Sequence, residues 1–291
     1  MKVTSPSYLV IFLISSISQS ASSALLSHES FTGYSLGDLP ETGPHPSTVG
    51  YSGDWFDGGF ADAEPAVSSG SLVYNDSLYL GSSGDKVSKG PDLAGINAGN
   101  SGRAGRALDP SLVVTNSTTG TLYLSFLFQT GLENAASNAN TYQTVALWNG
   151  DIGNDGLRNF DLGVAAGDFG TSNYGFRVNN STVGDMGVAS DASVHLFVVR
   201  FDFSASAASD QVTTWIDPTL GAGDPTGGVT LSGADLAWDT LAFSDYASNS
   251  SSWDEVRFGT TFDSVTIPEP SVVLFSTVGL FGLFGLIRRR R

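Results

Sequence analysis

The chain has no cysteine, and its only lysines are Lys2, Lys86 and Lys89. Without thiols it forms no disulfide, thiolate nucleophile or cysteine metal centre, so a compact fold must rest on its core. Glutamate is nearly as scarce, at positions 29, 41, 64, 133, 255 and 269. Long helices draw heavily on Glu and Lys, so the shortage of both argues against a helical body. Basic charge is the third shortage. Residues 25–267 carry 8 basic side chains against 28 acidic ones, a net charge of −20. Nucleic-acid binding needs positive density against phosphate, so no nucleic-acid partner is expected. Solubility outside a cell is the plain reading of that charge, and cation capture a secondary one.

The chain is rich in turn formers and aromatics, with 35 glycines and 18 phenylalanines, and its acidic residues are nearly all aspartate. That balance suits short strands joined by many turns. Strands are expected over residues 122–129, 142–148, 194–203, 211–217, 236–243 and 253–260, with shorter ones over 71–80, 159–165 and 174–178. Asn149-Gly150 closes the second of these with a turn signal, and 194–203 with 211–217 reads as an antiparallel hairpin. Eight or more strands without intervening helices imply an all-β fold of two packed antiparallel sheets, a jelly-roll sandwich over residues 25–265. No blade-like repeat supports a propeller. Residues 33–65, rich in Gly, Pro and Asp, are expected to wrap the sandwich as irregular coil or short edge strands.

Both ends are apolar. Lys2, the run Tyr8-Leu9-Val10-Ile11-Phe12-Leu13-Ile14 and the small residues at 18–24 have the three-part layout of a signal peptide over 1–24. At the other end, Pro268-Glu269-Pro270 precedes an apolar run over 271–287 and then Arg288, Arg289, Arg290 and Arg291. A run of 17 residues is at the short limit of a membrane-spanning helix, and arginines prefer the cytoplasmic side. The body would then lie outside the inner membrane.

Pro268-Glu269-Pro270-Ser271, the hydrophobic stretch and the arginine cluster together resemble the PEP-CTERM sorting signal of Gram-negative bacteria. The resemblance covers 266–291 and implies an exosortase as the processing enzyme, with Pro268, Glu269 and Pro270 as the site it acts upon. It implies delivery to the cell surface, outer envelope or an exopolysaccharide matrix. A weaker resemblance lies in Val194-His195-Leu196-Phe197-Val198-Val199-Arg200-Phe201-Asp202-Phe203, Asp210 to Pro218 and Trp253 to Thr261. This succession is similar to laminin-G and concanavalin A-like domains, which implies a jelly roll and a role in adhesion or carbohydrate binding.

No catalytic constellation is visible. A glycosidase needs two carboxylates across one cleft, and no Glu-x-Asp-x-x-Glu run supplies them. Strict alternation puts Asp254 and Glu255 on opposite faces of a strand, with Glu255 beside Arg257. His28, His45 and His195 are too scattered for a zinc site, and His195 is expected on one face with Phe197, Val199 and Phe201. Gly102-Arg103-Ala104-Gly105-Arg106 lacks the Lys-Ser/Thr end of a phosphate loop. Calcium is the one ion considered, on Asp54, Asp57 and Asp62 or on Asp151 and Asp155, since hard oxygen donors on loops suit it. No other cofactor is expected. Trp55 and Trp148 are the candidates for stacking on sugar rings. The sequence therefore favours a non-catalytic surface protein that contacts extracellular polysaccharide, with a glycoside hydrolase or a structural matrix component as alternatives. Signal peptidase and exosortase would be its processing partners.

Overall fold

The computed structural model describes residues 24–40, 48–59, 64–79, 84–89, 102–131, 141–165, 169, 173–246 and 250–267. Residues 1–23 of the expected signal peptide, His45, Asp62 and the tail 268–291 lie outside the described residues. Among the described residues no helix is long and apolar enough to cross a membrane.

The described chain folds as an antiparallel two-sheet sandwich. One sheet runs β14 (Val229–Ala234), β13 (Asp210–Ile216), β12 (His195–Phe203), β7 (Gly120–Thr130), β16 (Ser251–Gly259), β5 (Asp85–Lys89), β4 (Ala66–Ser69) and β2 (Gly37–Asp38). A further strand, β1 (Leu25–Glu29), joins the same edge of β16 beyond β5. The facing sheet runs β11 (Thr182–Ala189), β10 (Asn173–Val178), β9 (Arg158–Ala165), β8 (Tyr142–Trp148), β15 (Thr240–Tyr246), β6 (Gly102–Leu108) and β3 (Tyr51–Asp57). The hairpin expected between 194–203 and 211–217 is β12–β13, in which Val199 lies opposite Thr214.

The period-2 alternation of the sequence fills the space between the sheets. Phe126, Phe128, Phe197, Val199, Phe201, Trp253 and Phe258 face Val145, Leu147, Phe160, Leu162, Tyr174, Phe176 and Phe243, all fully buried. Aromatic rings meet across the gap: Phe160 stands edge-on to Phe201 at 5.1 Å between centroids, and Phe243 lies 5.4 Å from Trp253. Polar pairs join the sheets at the rims, where a cysteine-free chain has no disulfide to do so. Arg106 of β6 lies 2.8 Å from Glu29 of β1, Thr130 of β7 donates to Gln143 of β8 at 2.8 Å, and Lys89 of β5 donates to the Asp245 carbonyl of β15 at 3.1 Å.

A second apolar layer coats the outer face of the larger sheet. Tyr123, Leu127, Leu196, Val198 and Trp215 project outward and are covered by Leu72, Tyr79 and Leu220, and by Phe262 and Val265 of a short helix, α1 (Phe262–Thr266). A Thr261–Ser264 capping box starts α1. Two hydrogen bonds tie the beginning of β1 to the end of β16: Ala24 N donates to Thr260 Oγ1 at 3.1 Å, and Thr260 N donates to the Ala24 carbonyl at 3.0 Å.

Two sequence expectations about strands need correction. Residues 71–79 form no strand, because Leu72 N donates to the Asp254 carboxylate instead of to a neighbouring strand. The strand expected from Leu236 starts only at Thr240. Leu236 N is held by Asp210 Oδ2, and Trp238 makes an isolated bridge to Val114. Within the glycine-rich 33–65 region the described residues include two short edge strands, β2 and β3, as expected.

Candidate functional site

The structure buries both tryptophans expected to meet sugars. Trp55 is 3% exposed, stacked 5.3 Å from Phe243, and donates its Nε1 to Tyr34 Oη at 3.3 Å. Trp148 has no exposed surface; it packs with Ala146, Ile152 and Ala242, and the Arg103 and Arg158 guanidiniums lie 4.8 and 5.4 Å from its ring. Neither ring is open for stacking.

The loops that carry the calcium candidates Asp57 and Asp151 meet at Gly58 and Gly153, but their carboxylates are turned to separate partners. Asp57 Oδ1 accepts from Gly59 N, and Asp151 Oδ1 from Gly153 N, each closing its own turn. Asp155 is held 2.7 Å from Arg103 Nη2, and Asp54 sits within β3. Among the described residues no group of three or more His, Asp or Glu side chains could hold a metal. The tail residues Pro268, Glu269, Pro270 and Arg288 to Arg291 lie outside the described residues.

Glu255 does pair with Arg257, at 2.6 Å, and also with His28. The expectation that Asp254 and Glu255 face opposite sides is overturned. A β-bulge between Asp254 and Arg257, with Glu255 at φ 54°, adds a residue to β16 and turns both carboxylates to the outer face. Burial, and then the Glu255 charge, push the Asp254 carboxyl up to about 8. Glu255 stays low although burial opposes it, because His28 and Arg257 stabilise its charge. Such a split resembles an acid–base pair, but both groups are sealed. Leu72 N and Glu255 N occupy the two Asp254 oxygens, and Tyr79 lies beneath the Arg257 guanidinium at 5.0 Å.

His195 points inward at the rim, sharing the face with Phe197 as expected and standing 5.2 Å edge-on to Tyr174. Its Nδ1 lies 2.6 Å from Asp217 Oδ2 and its Nε2 2.9 Å from Asp191 Oδ1. Burial disfavours the imidazolium, but the hydrogen bonds to Asp217 and Asp191 outweigh it and raise the His195 pKa.

Asp217 opens the loop that leads from β13 to β14, and that loop frames a cleft of about 630 Å³. Met186, Val188, Ile216 and Val229 supply apolar surface, and Thr219, Thr226, Pro218, Pro225 and the two aspartates surround it. The loop carries the same tripeptide twice, Asp217-Pro218-Thr219 and Asp224-Pro225-Thr226. Gly221 and Gly223 between them hold φ values of 77° and 72°, where a side chain would be strained. This repeated motif was the available sequence signal for the cleft, and it passes unnoticed when strands alone are sought.

Both cleft carboxylates are occupied by the protein. Asp217 Oδ1 accepts from Leu196 N at 2.9 Å while Oδ2 faces His195. Tyr123 donates to both Asp224 oxygens at 2.8 Å, and Arg200 Nη1 donates to Oδ2 at 3.0 Å. These protein donors take up oxygens that the two side chains could otherwise turn to a ligand. The arrangement can offer hydroxyls, proline faces and carbonyls to a ligand.

No family model and no curated protein matches the chain. Among solved structures it is similar to an endo-1,3-β-glucanase from Streptomyces sioyaensis, at 10% identity and TM-score 0.40, over 82% of this chain and 97% of that one. It is also similar to the acidic lectin of winged bean, at 15% identity and TM-score 0.38, over 71% and 97%. The botulinum neurotoxin serotype D binding domain follows at 10% identity and TM-score 0.36, and the chain spans only 42% of its length. Similarities at this level say nothing of function.

Proposed function

We infer that this is an exported, non-catalytic surface or matrix protein of concanavalin-like jelly-roll type that contacts neutral glycan through the twin Asp-Pro-Thr cleft. The observation that carries this reading is the internal commitment of Asp217 and Asp224. Hydrolysis needs a carboxyl group free to exchange a proton with the glycosidic oxygen, and here both are held by protein donors. Threonine hydroxyls beside proline and aliphatic surface suit the mixed polar edges and apolar faces of a sugar ring. Delivery would follow from the two apolar ends. Signal peptidase would act near residue 24, and an exosortase at Pro268-Glu269-Pro270 would release the body from the inner membrane.

A glycan array and a reducing-sugar assay on the full-length chain, in a detergent free of sugar and with and without Ca²⁺, test the reading. Binding without sugar release is expected, and Ala222→Trp, which fills the cleft, should abolish it. Release of sugar that Asp217→Asn or Asp224→Asn abolishes would establish the hydrolase alternative. That alternative draws on the presence of two carboxylates in one cleft. Neither binding nor release would leave a structural matrix role.

A further inference from the structure

Eight basic side chains lie in residues 25–267. Seven of them meet carboxylates: Lys89 with Asp245, Arg103 with Asp155, Arg106 with Glu29, Arg158 and Arg177 with Asp161, Arg200 with Asp202 and Asp224, and Arg257 with Glu255. Lys86 is the exception; among the described residues it has no ion pair and its ammonium makes no hydrogen bond. It stands half-buried on β5, in a chain where acidic partners outnumber basic ones several-fold.

The unpaired lysine lines a groove of about 420 Å³. The groove begins on the outer face of the larger sheet and passes over the strand ends beside the Ser250 and Gly131 backbones. Its floor is a row of hydroxyls on neighbouring strands. Ser68 of β4 donates to Ser88 of β5 at 2.9 Å, and Ser88 meets Ser252 of β16 at 2.8 Å. Strand register aligns the row: Ser252 lies opposite Ser88 on one side and Gln129 of β7 on the other, while Lys86 lies opposite Ser68. Strands are spaced about 4.8 Å apart, so the row from β4 to β7 spans about 14 Å, room for a short oligosaccharide.

We propose that this groove binds a glycan carrying an isolated anionic sugar, a uronate, whose carboxylate pairs with Lys86 while neighbouring neutral sugars lie along Ser68, Ser88, Ser252 and Gln129. Lys89 also lines the groove but is buried against Asp245, so Lys86 supplies its one cation without a carboxylate partner among the described residues, a match for a single carboxylate. A polyanion would meet the net negative charge of the rest of the chain, whereas an isolated anion feels mainly charges within the Debye length, about 8 Å at physiological salt. The outer-face carboxylate nearest in register, Asp254, sits under Leu72 and takes two backbone N–H donors. Burial first, and then the Glu255 charge, push its pKa up to about 8 although Lys86 itself draws it down, so it competes only weakly for the Lys86 charge. The groove is separate from the Asp-Pro-Thr cleft and shares no residue with it.

The test compares cellobiouronate with cellobiose, by calorimetric titration of the full-length chain in sugar-free detergent at 150 mM salt. Cellobiouronate should bind at least tenfold more tightly. Lys86→Met, which keeps the aliphatic stem, should remove that preference, and Lys86→Arg should retain most of it. The thermal midpoint of each variant checks folding, and Ser252→Ala gives a second, uncharged probe that should weaken both ligands. Equal affinity for the two disaccharides, a preference that survives Lys86→Met, or no detectable uronate binding at millimolar concentration would each overturn the proposal. Ala222→Trp should leave the uronate preference untouched, so failure of the groove and failure of the cleft give different results.

Discussion

Glu29 and Arg106 meet 2.8 Å apart between the two sheets, and each side chain is only 2% exposed. The carboxylate also accepts from Phe31 N at 3.1 Å and from Tyr34 Oη at 2.7 Å, so it organises the first turn after β1. Removing one member of a buried pair strands the other charge. Glu29→Ala should cost about 3–5 kcal/mol of unfolding free energy. The double variant Glu29→Leu/Arg106→Met should recover a substantial part of that loss, because no lone charge remains. Urea titration of the single and double variants measures the coupling.

His195 should make stability depend on pH. Its folded pKa is raised, with Asp217 and Asp191 outweighing burial, so its contribution is complete below about 6.5, the value of an unfolded histidine. That contribution is lost as pH rises through the folded value. Tyr174 and Tyr74 also face the cluster, but their own titrations lie far above this window. The difference in melting temperature between wild type and His195→Gln should therefore shrink between pH 6 and pH 9. A difference that stays constant with pH would contradict this linkage.

Gly163 should tolerate no side chain. Its φ is 151°, and a Cβ there would lie 2.2 Å from the Gln143 carbonyl oxygen of the neighbouring strand. Backbone cannot move aside as a flexible side chain can. Gly163→Ala should destabilise by about 1–3 kcal/mol, read as a lower urea midpoint with an unchanged slope.

The sequence made the centres of both sheets legible and left their edges obscure. Tyr142–Trp148 is β8 with the expected bounds, and β7, β9, β10, β12, β13 and β16 fall within two residues of expectation. Their inner positions are continuous aromatic and branched residues, which fix the period without help. β6 was hidden because Gly102-Arg103-Ala104-Gly105-Arg106 lacks apolar alternation. Its strand character comes from pairing with β15 and from guanidiniums sent to opposite faces, Arg106 toward Glu29 and Arg103 over Trp148. The bulge at Glu255 was equally invisible, since a left-handed glutamate leaves no mark in composition. The serine groove needs four strands that are distant in sequence, so no local motif announces it.

The sorting reading predicts the fate of a variant. Replacing Pro268, Glu269 and Pro270 by alanine, in a Gram-negative host with an exosortase, should leave an unprocessed precursor in the inner membrane. Immunoblots of fractionated cells report it through precursor size and location. Equal release of the variant and wild-type bodies would remove the exosortase from the account.

β16 is among the last strands to be made, yet it lies at the middle of its sheet, hydrogen-bonded to β7 on one side and to β5 and β1 on the other. A ribosome must therefore finish nearly the whole body before its first strand finds a permanent neighbour. Until then β1 lacks its neighbour and β5 is not joined to β7, and a premature stop codon upstream of Ser251 should yield a protease-sensitive product instead of a smaller stable protein.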